Sequence, residues 1–273
     1  MSQQSPNSPP APAPASERAT VRIGWTDLRV AVHPGDADRA PLLMFGGIGA
    51  GLEVLGPLVQ ALDPAVPVIR VDVPGIGGSP LPVVPLPIPA LAGLMARLLD
   101  RLGHRQVDVL GYSWGGALAQ QFALQHAARC RRLVLISSST GALSIPGDPQ
   151  VLANLLIPRR PDHPEEAARL DDHLHDDLAA VLSSGLGSIG SGGWGYLQQL
   201  TALMTWTSLP FLPLIGQPTL VVNGVDDPIV PVANGRLLAA CIPRAMLTVI
   251  PGGHFEIIHS AASLGALVSR FLN

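Results

Sequence analysis

The sequence predicts an α/β fold: a mostly parallel sheet with a leading antiparallel hairpin and one long insertion that acts as a lid. Three observations predict it. Short apolar runs at 41–45 (PLLMF), 66–73 (VPVIRVDV), 106–110 (QVDVL), 132–139, 218–224 and 245–253 read as strands buried on both faces. Helical patterns stand between them, the alternation that builds a parallel sheet through crossovers. Ahead of the first run, TVRIGWTDLRVAVHPG alternates apolar and polar residues and reads as a hairpin turning near Thr26–Asp27.

The elements follow in order. Residues 90–102 (ALAGLMARLLDRL) place Leu91, Leu94, Leu98 and Leu102 on one helical face. A second helix, 115–128, continues directly after GYSW at 111–114, and SAASLGALVSRFLN closes the chain as a third. Almost 80 residues separate the strand at 132–139 from that at 218–224, far more than one crossover helix needs. The lid insertion is placed there, at about 141–212. Its first half is acidic and helical, with Pro164 near a helix start. Its second half is uncharged from residue 178 onward.

Length and composition narrow the alternatives. At 273 residues, 47% of them apolar, the chain can bury one substantial core and is short for two. Residues 20–273 are therefore expected as a single domain. Residues 1–19 are expected as a disordered tail, because five prolines fall among the first 14 positions and no apolar secretory segment is present. The 17 basic residues, all arginine, form no run and are outnumbered by 20 acidic ones, which gives nucleic-acid binding no support. Residues 80–96 are uncharged but carry Pro80, Pro82, Pro85, Pro87 and Pro89, so neither they nor the interrupted 178–225 stretch reads as a transmembrane helix. Cys130 and Cys241 make no disulfide framework and read as structural thiols. A cytoplasmic location follows. The cluster Asp171, Asp172, His173, His175, Asp176 and Asp177 is spread around a helix by its spacing and reads as a solvated acidic face. No metal and no cofactor is expected.

The chemistry centres on GYSWGG at 111–116. A serine on a tight strand-to-helix turn has a strained backbone and needs small neighbours, and the turn thrusts its hydroxyl out at the carboxyl end of the sheet. Here QVDVL precedes the motif and GGALAQQFALQH follows it, so Ser113 is the expected nucleophile. A serine hydroxyl needs a base to take its proton. His254, directly after the last strand and a glycine pair, is the expected base. An acid should orient that base, and the loop after PTLVVNG offers Asp226 and Asp227. Asp227, third after Gly224 and before Pro228, is assigned this role, with Asp226 shaping the turn. Two backbone N–H groups should hold an oxyanion: that of Trp114, and that of Ile48 in the GGIGAG loop at 46–51. The loop has neither the lysine nor the spacing of a phosphate cradle. DVPGIGGS at 72–79 reads as a structural rim of the pocket. Trp194, Tyr196 and Trp206 in the uncharged segment are the expected substrate contacts.

With these residues the chain resembles the α/β-hydrolase superfamily, and within it the intracellular poly(3-hydroxyalkanoate) depolymerases of the medium-chain-length type. The stretches that carry the resemblance are PLLMFGGIGAGLEVLGPLVQALDP, VIRVDVPGIGGS, SWGGALAQQFA, TSLPFLPLIGQPTLVVNGVDDPIVP and NGRLLAACIPRAMLTVIPGGH, in order from about residue 20 to 273. The family tends to have a polar residue where this chain has Gly46, and within the lid only SGGWGY matches well. The resemblance implies hydrolysis of ester links in a storage polyester, releasing 3-hydroxy fatty acids, with Ser113, Asp227 and His254 as the triad. It also implies a polyester chain or granule surface as partner, and storage-granule association. A small-molecule carboxylesterase or lactonase with the same triad is the alternative.

Overall fold

The computed structural model describes residues 17–156 and 193–273. Residues 1–16, the histidine–aspartate cluster at 171–177 and most of the first half of the expected lid lie outside the described residues. The hairpin comes first, with β1 Glu17–Ile23 and β2 Thr26–His33. Ile23 pairs with Thr26, so the turn is Gly24–Trp25, not Thr26–Asp27. Gly24 has φ +61, the left-handed conformation that a two-residue hairpin loop demands and glycine supplies. Glu17, Arg18 and Ala19, read from sequence as tail, pair with Val32, Ala31 and Val30 instead.

Strands β3 Leu42–Phe45, β4 Val68–Val71, β5 Val107–Tyr112, β6 Cys130–Ile136, β7 Thr219–Gly224 and β8 Ala245–Ile250 complete one eight-stranded sheet, ordered β1-β2-β4-β3-β5-β6-β7-β8. Strands β3 to β8 are parallel, and β2 runs against both of its neighbours. Among the described residues the α-helices are α1 Gly56–Ala61, α2 Ile88–Arg101, α3 Trp114–Gln125, α4 Pro149–Leu156, α5 Trp194–Met204, α6 Val232–Cys241, α7 Glu256–His259 and α8 Ala261–Leu272. Pro89 falls in the first turn of α2, where its missing N–H costs no helical bond.

The two faces of the sheet make two cores, and the period-two alternation of β3 shows how. Leu43 and Phe45 join Leu94 and Leu98 of α2 and Phe122 of α3, whereas Leu42 and Met44 join Leu58 of α1 and Leu264 and Val268 of α8. Cys130 is buried and Cys241 half-buried, and both are free thiols. Among the described residues no helix is long and apolar enough to cross a membrane.

The two glycine loops at the carboxyl ends of β3 and β4 are knotted together by one carboxylate. Asp72, its side chain fully buried, accepts the Leu52 N–H at 2.6 Å and the Gly78 N–H at 2.8 Å. It also pairs with Arg29 of β2 at 3.2 Å, and Arg29 in turn pairs with Glu53. Burial pushes the Asp72 carboxyl above its ordinary range, against the pull of these N–H groups and of Arg29. Asp72→Ala therefore leaves two buried N–H groups without an acceptor, at ~1–3 kcal/mol each. A urea melt of this variant is expected to show a loss of ~2–5 kcal/mol.

Candidate active site

Ser113 joins β5 to α3 with φ 53 and ψ −120, a conformation that L-residues avoid. The turn is held because its neighbours cannot relax. The Ser113 N–H donates to the Ile136 carbonyl at 2.9 Å, and its carbonyl accepts the Gly116 N–H at 2.9 Å and the Ser138 hydroxyl at 3.1 Å. The glycines of the motif are demanded by contact: a Cβ on Gly115 would collide with the carbonyls of Phe45 and Gly46, and one on Gly111 with the backbone of Gly115 and Gly116. Helix α3 thus starts hard against the end of β3.

His254 follows β8 and stands within reach of this serine. Its Nε2 lies 2.9 Å from the Ser113 Oγ, and its Nδ1 lies 2.8 Å from the Asp227 Oδ2. The other Asp227 oxygen accepts the N–H groups of Ile229 at 2.9 Å and Val230 at 2.8 Å. A carboxylate already accepting two backbone N–H groups requires a donor from the imidazole as well, so Nδ1 carries the proton. Nε2 is then the acceptor facing the serine hydroxyl. The Asp227 side chain is fully buried and the His254 side chain nearly so. Asp226 is exposed and takes no part in this chain of bonds; its N–H donates to the Gly252 carbonyl at 3.0 Å. The loops after β7 and β8 meet backbone to backbone at Gly224, where a Cβ would strike the Gly252 and Gly253 carbonyls. That closeness is what brings acid and base together.

The imidazole is also held through its ring and its main chain. The Tyr112 ring lies 5.4 Å from it, the Phe255 ring stands edge-on at 5.5 Å, and the Tyr112 hydroxyl donates to the His254 carbonyl at 3.1 Å. Tyr112 was not singled out from sequence, although it sits inside the serine motif.

The loop after β3 lies alongside the serine: a Cβ on Gly47 would be 3.6 Å from the Ser113 Cβ and 3.2 Å from the Tyr112 ring. Trp114 is the first residue of α3, where helix N–H groups have no intrahelical acceptor. Neither the Trp114 nor the Ile48 backbone N–H has an acceptor among the described residues. Both donors expected from sequence therefore belong to segments that border Ser113.

The three expected aromatic contacts part company. Trp194, at the start of α5, is 61% exposed, while Tyr196 is 6% and Trp206 8% exposed. Burial pushes the Tyr196 phenol up to about 12, so it is a neutral hydroxyl. Trp206 is a core residue whose indole N–H donates to the Gln121 Oε1 at 2.8 Å. Sequence reasoning also passed over Gln199, buried on α5 and bonded to the GGIGAG loop. The available signal was a pair of glutamines in an otherwise apolar stretch.

Comparison with known proteins decides the family. Residues 40–184, more than half of the chain, match the model of the alpha/beta hydrolase fold. The chain belongs to the α/β-hydrolase family. Within it, the chain is 44% identical over 261 residues to the poly(3-hydroxyalkanoate) depolymerase of Ectopseudomonas oleovorans, covering 93% of this chain and 91% of that protein. It is 26% identical to 3-oxoadipate enol-lactonase 2 of Acinetobacter baylyi, over 87% of this chain and 91% of that one. Among solved structures, the enol-lactonase from Burkholderia xenovorans LB400 superposes with a TM-score of 0.77 at 25% identity, covering 93% of this chain and 99% of that one.

Proposed function

We propose that this hydrolase cleaves carboxylic ester bonds through an acyl-enzyme on Ser113, and that its substrate is poly(3-hydroxyalkanoate), which it depolymerises to 3-hydroxy fatty acids. The observation that carries the reaction is the continuous chain of hydrogen bonds from the Ser113 Oγ through His254 to Asp227, at 2.9 and 2.8 Å. Ser113 attacks the ester carbonyl while the His254 Nε2 takes its proton. The N–H groups of Trp114 and Ile48 receive the developing oxyanion. The protonated His254 returns its proton to the departing alcohol, and Asp227 stabilises the imidazolium without itself taking a proton. Water activated by His254 then releases the acid.

The substrate class rests on the 44% identity to the depolymerase. The chain's own residues fit it: the described part of the uncharged segment exposes Trp194, Leu197, Met204, Phe211 and Leu214, an apolar surface suited to an insoluble chain. The substrate contacts proposed are Trp194 and Tyr196. Trp206 is omitted, because it packs in the main core beside α3 and its indole N–H is taken by Gln121. Residues 141–212 acting as a lid on a single domain, and residence in the cytoplasm at the storage-granule surface, belong to the same proposal.

Incubating the purified protein with a medium-chain polyester suspension tests it. Release of 3-hydroxy acids by the wild type and none by Ser113→Ala is the expected result. Cleavage of soluble aryl esters or lactones alone would instead support the small-molecule esterase or lactonase reading, which the enol-lactonase likeness favours.

A further inference from the structure

One half of the proposed oxyanion hole is built from a glycine-rich segment. GGIGAG has glycine at positions 46, 47, 49 and 51, so only Ile48 and Ala50 anchor the loop by side chain, and Gly49 sits at φ +68. Such a backbone can rotate its peptide planes at little steric cost, and a rotated peptide turns its N–H away from the site. Something outside the loop must fix it.

Helix α5 supplies the fixing groups from one residue. Gln199 is 4% exposed, and its Oε1 accepts the Gly49 N–H at 2.7 Å. Its backbone carbonyl accepts the Trp114 indole N–H at 2.8 Å. One bond lands on the peptide that follows Ile48, and the other on the side chain of the residue that contributes the second N–H. Both halves of the hole are thereby tied to the same point of α5. That helix is itself immobilised: Gly195 meets the backbone of Gly75 so closely that a Cβ would not fit, and Ala202 enters the core beside α3. An amide buried this deeply is costly to leave unpaired, so the Gln199–Gly49 bond is strongly favoured once α5 is seated.

We propose that Gln199 is a positioning residue for the oxyanion hole, locking the Ile48–Gly49 peptide through its side chain and the Trp114 side chain through its carbonyl. The inference rests on the proposed roles of Ser113, Ile48 and Trp114. It makes α5 part of the catalytic scaffold as well as part of the apolar surface.

The test uses Gln199→Met, which keeps length and removes the amide acceptor, and Gln199→Glu, which keeps an acceptor oxygen. On a soluble medium-chain 4-nitrophenyl ester, Gln199→Met is expected to lose ~10–100-fold in kcat with KM changed less than ~3-fold, somewhat below the loss of a whole oxyanion donor. Its affinity for a trifluoromethyl ketone, which forms a tetrahedral adduct, should fall by a similar factor, and Gln199→Glu should recover most of both. If Gln199→Met does not fold, Trp114→Phe, which removes the indole N–H together with part of the ring, should show the same kcat-against-KM split to a smaller degree. A kcat within twofold of wild type overturns the inference, as does a loss of folded protein with ketone affinity per active site unchanged. Ser113→Ala run in parallel separates the two levels. Activity surviving in Ser113→Ala overturns the site reading and this inference with it. An inactive Ser113→Ala beside an unimpaired Gln199→Met overturns the inference alone.

Discussion

Ser113→Ala is expected to lower kcat on a soluble ester by about 10⁴-fold or more while leaving the protein folded. The expected loss is this large because nucleophile and base act as one unit: without the hydroxyl, His254 has no proton to accept and no acyl-enzyme forms. What remains is the binding of the ester and the polarisation of its carbonyl by the two N–H groups. Folding should survive, because the strain at φ 53 is held by backbone bonds to Ile136 and Gly116 and by the Ser138 hydroxyl, none of which involves the Ser113 side chain. Alanine tolerates that conformation no worse than serine does. Thermal melting beside single-turnover kinetics checks both halves. A Ser113→Ala protein with a kcat within tenfold of wild type would contradict the assignment.

Asp227→Asn should produce the second largest effect, a fall in kcat of about 10³–10⁴-fold. The native carboxylate meets three donors: the N–H groups of Ile229 and Val230 on one oxygen, and the His254 Nδ1–H on the other. Asparagine offers one acceptor oxygen for these two directions. If its oxygen keeps the backbone pair, its NH₂ faces the imidazole and demands the tautomer with Nδ1 bare and Nε2 protonated, which cannot take the serine proton. If its oxygen faces the imidazole, the NH₂ confronts two backbone N–H groups in a fully buried site. The first arrangement costs activity and the second costs stability. Kinetics together with a melt should therefore show a large loss of kcat and a destabilisation of at most ~1–3 kcal/mol. Asp226→Asn, at the exposed neighbour, is the control in which neither should move.

Most of this candidate site was legible because Ser113, Asp227 and His254 each lie just beyond the end of a strand, where the requirements on the backbone are local. The GYSWGG turn needs glycines for reasons that steric contact imposes, and Gly115 against Phe45 and Gly46 is one such contact. The choice of Asp227 over Asp226 follows from which of two adjacent side chains the turn directs inward, and burial separates them cleanly. Gln199 was illegible for the opposite reason: its partners lie 150 and 85 residues away, and only tertiary packing brings them together. Trp206 was read as a contact from its place in an uncharged stretch, yet an indole paired to Gln121 fills the core. Helix α6 escaped notice because it buries Asn234 and Gly235, weak helix formers that blur the apolar stripe. The hairpin turn was misplaced by two residues because Asp27 resembled a turn residue, whereas the positive φ belongs to Gly24.

The most direct test of the account is to catch the acyl-enzyme. The protein is mixed with a slowly deacylating 3-hydroxyacyl ester, quenched in acid during turnover, digested, and read by mass spectrometry. The account predicts one 3-hydroxyacyl mass added to the peptide carrying Ser113, and no adduct in Ser113→Ala. Turnover with that peptide unmodified throughout, or an acyl group found instead on Cys241 or another residue, would contradict it.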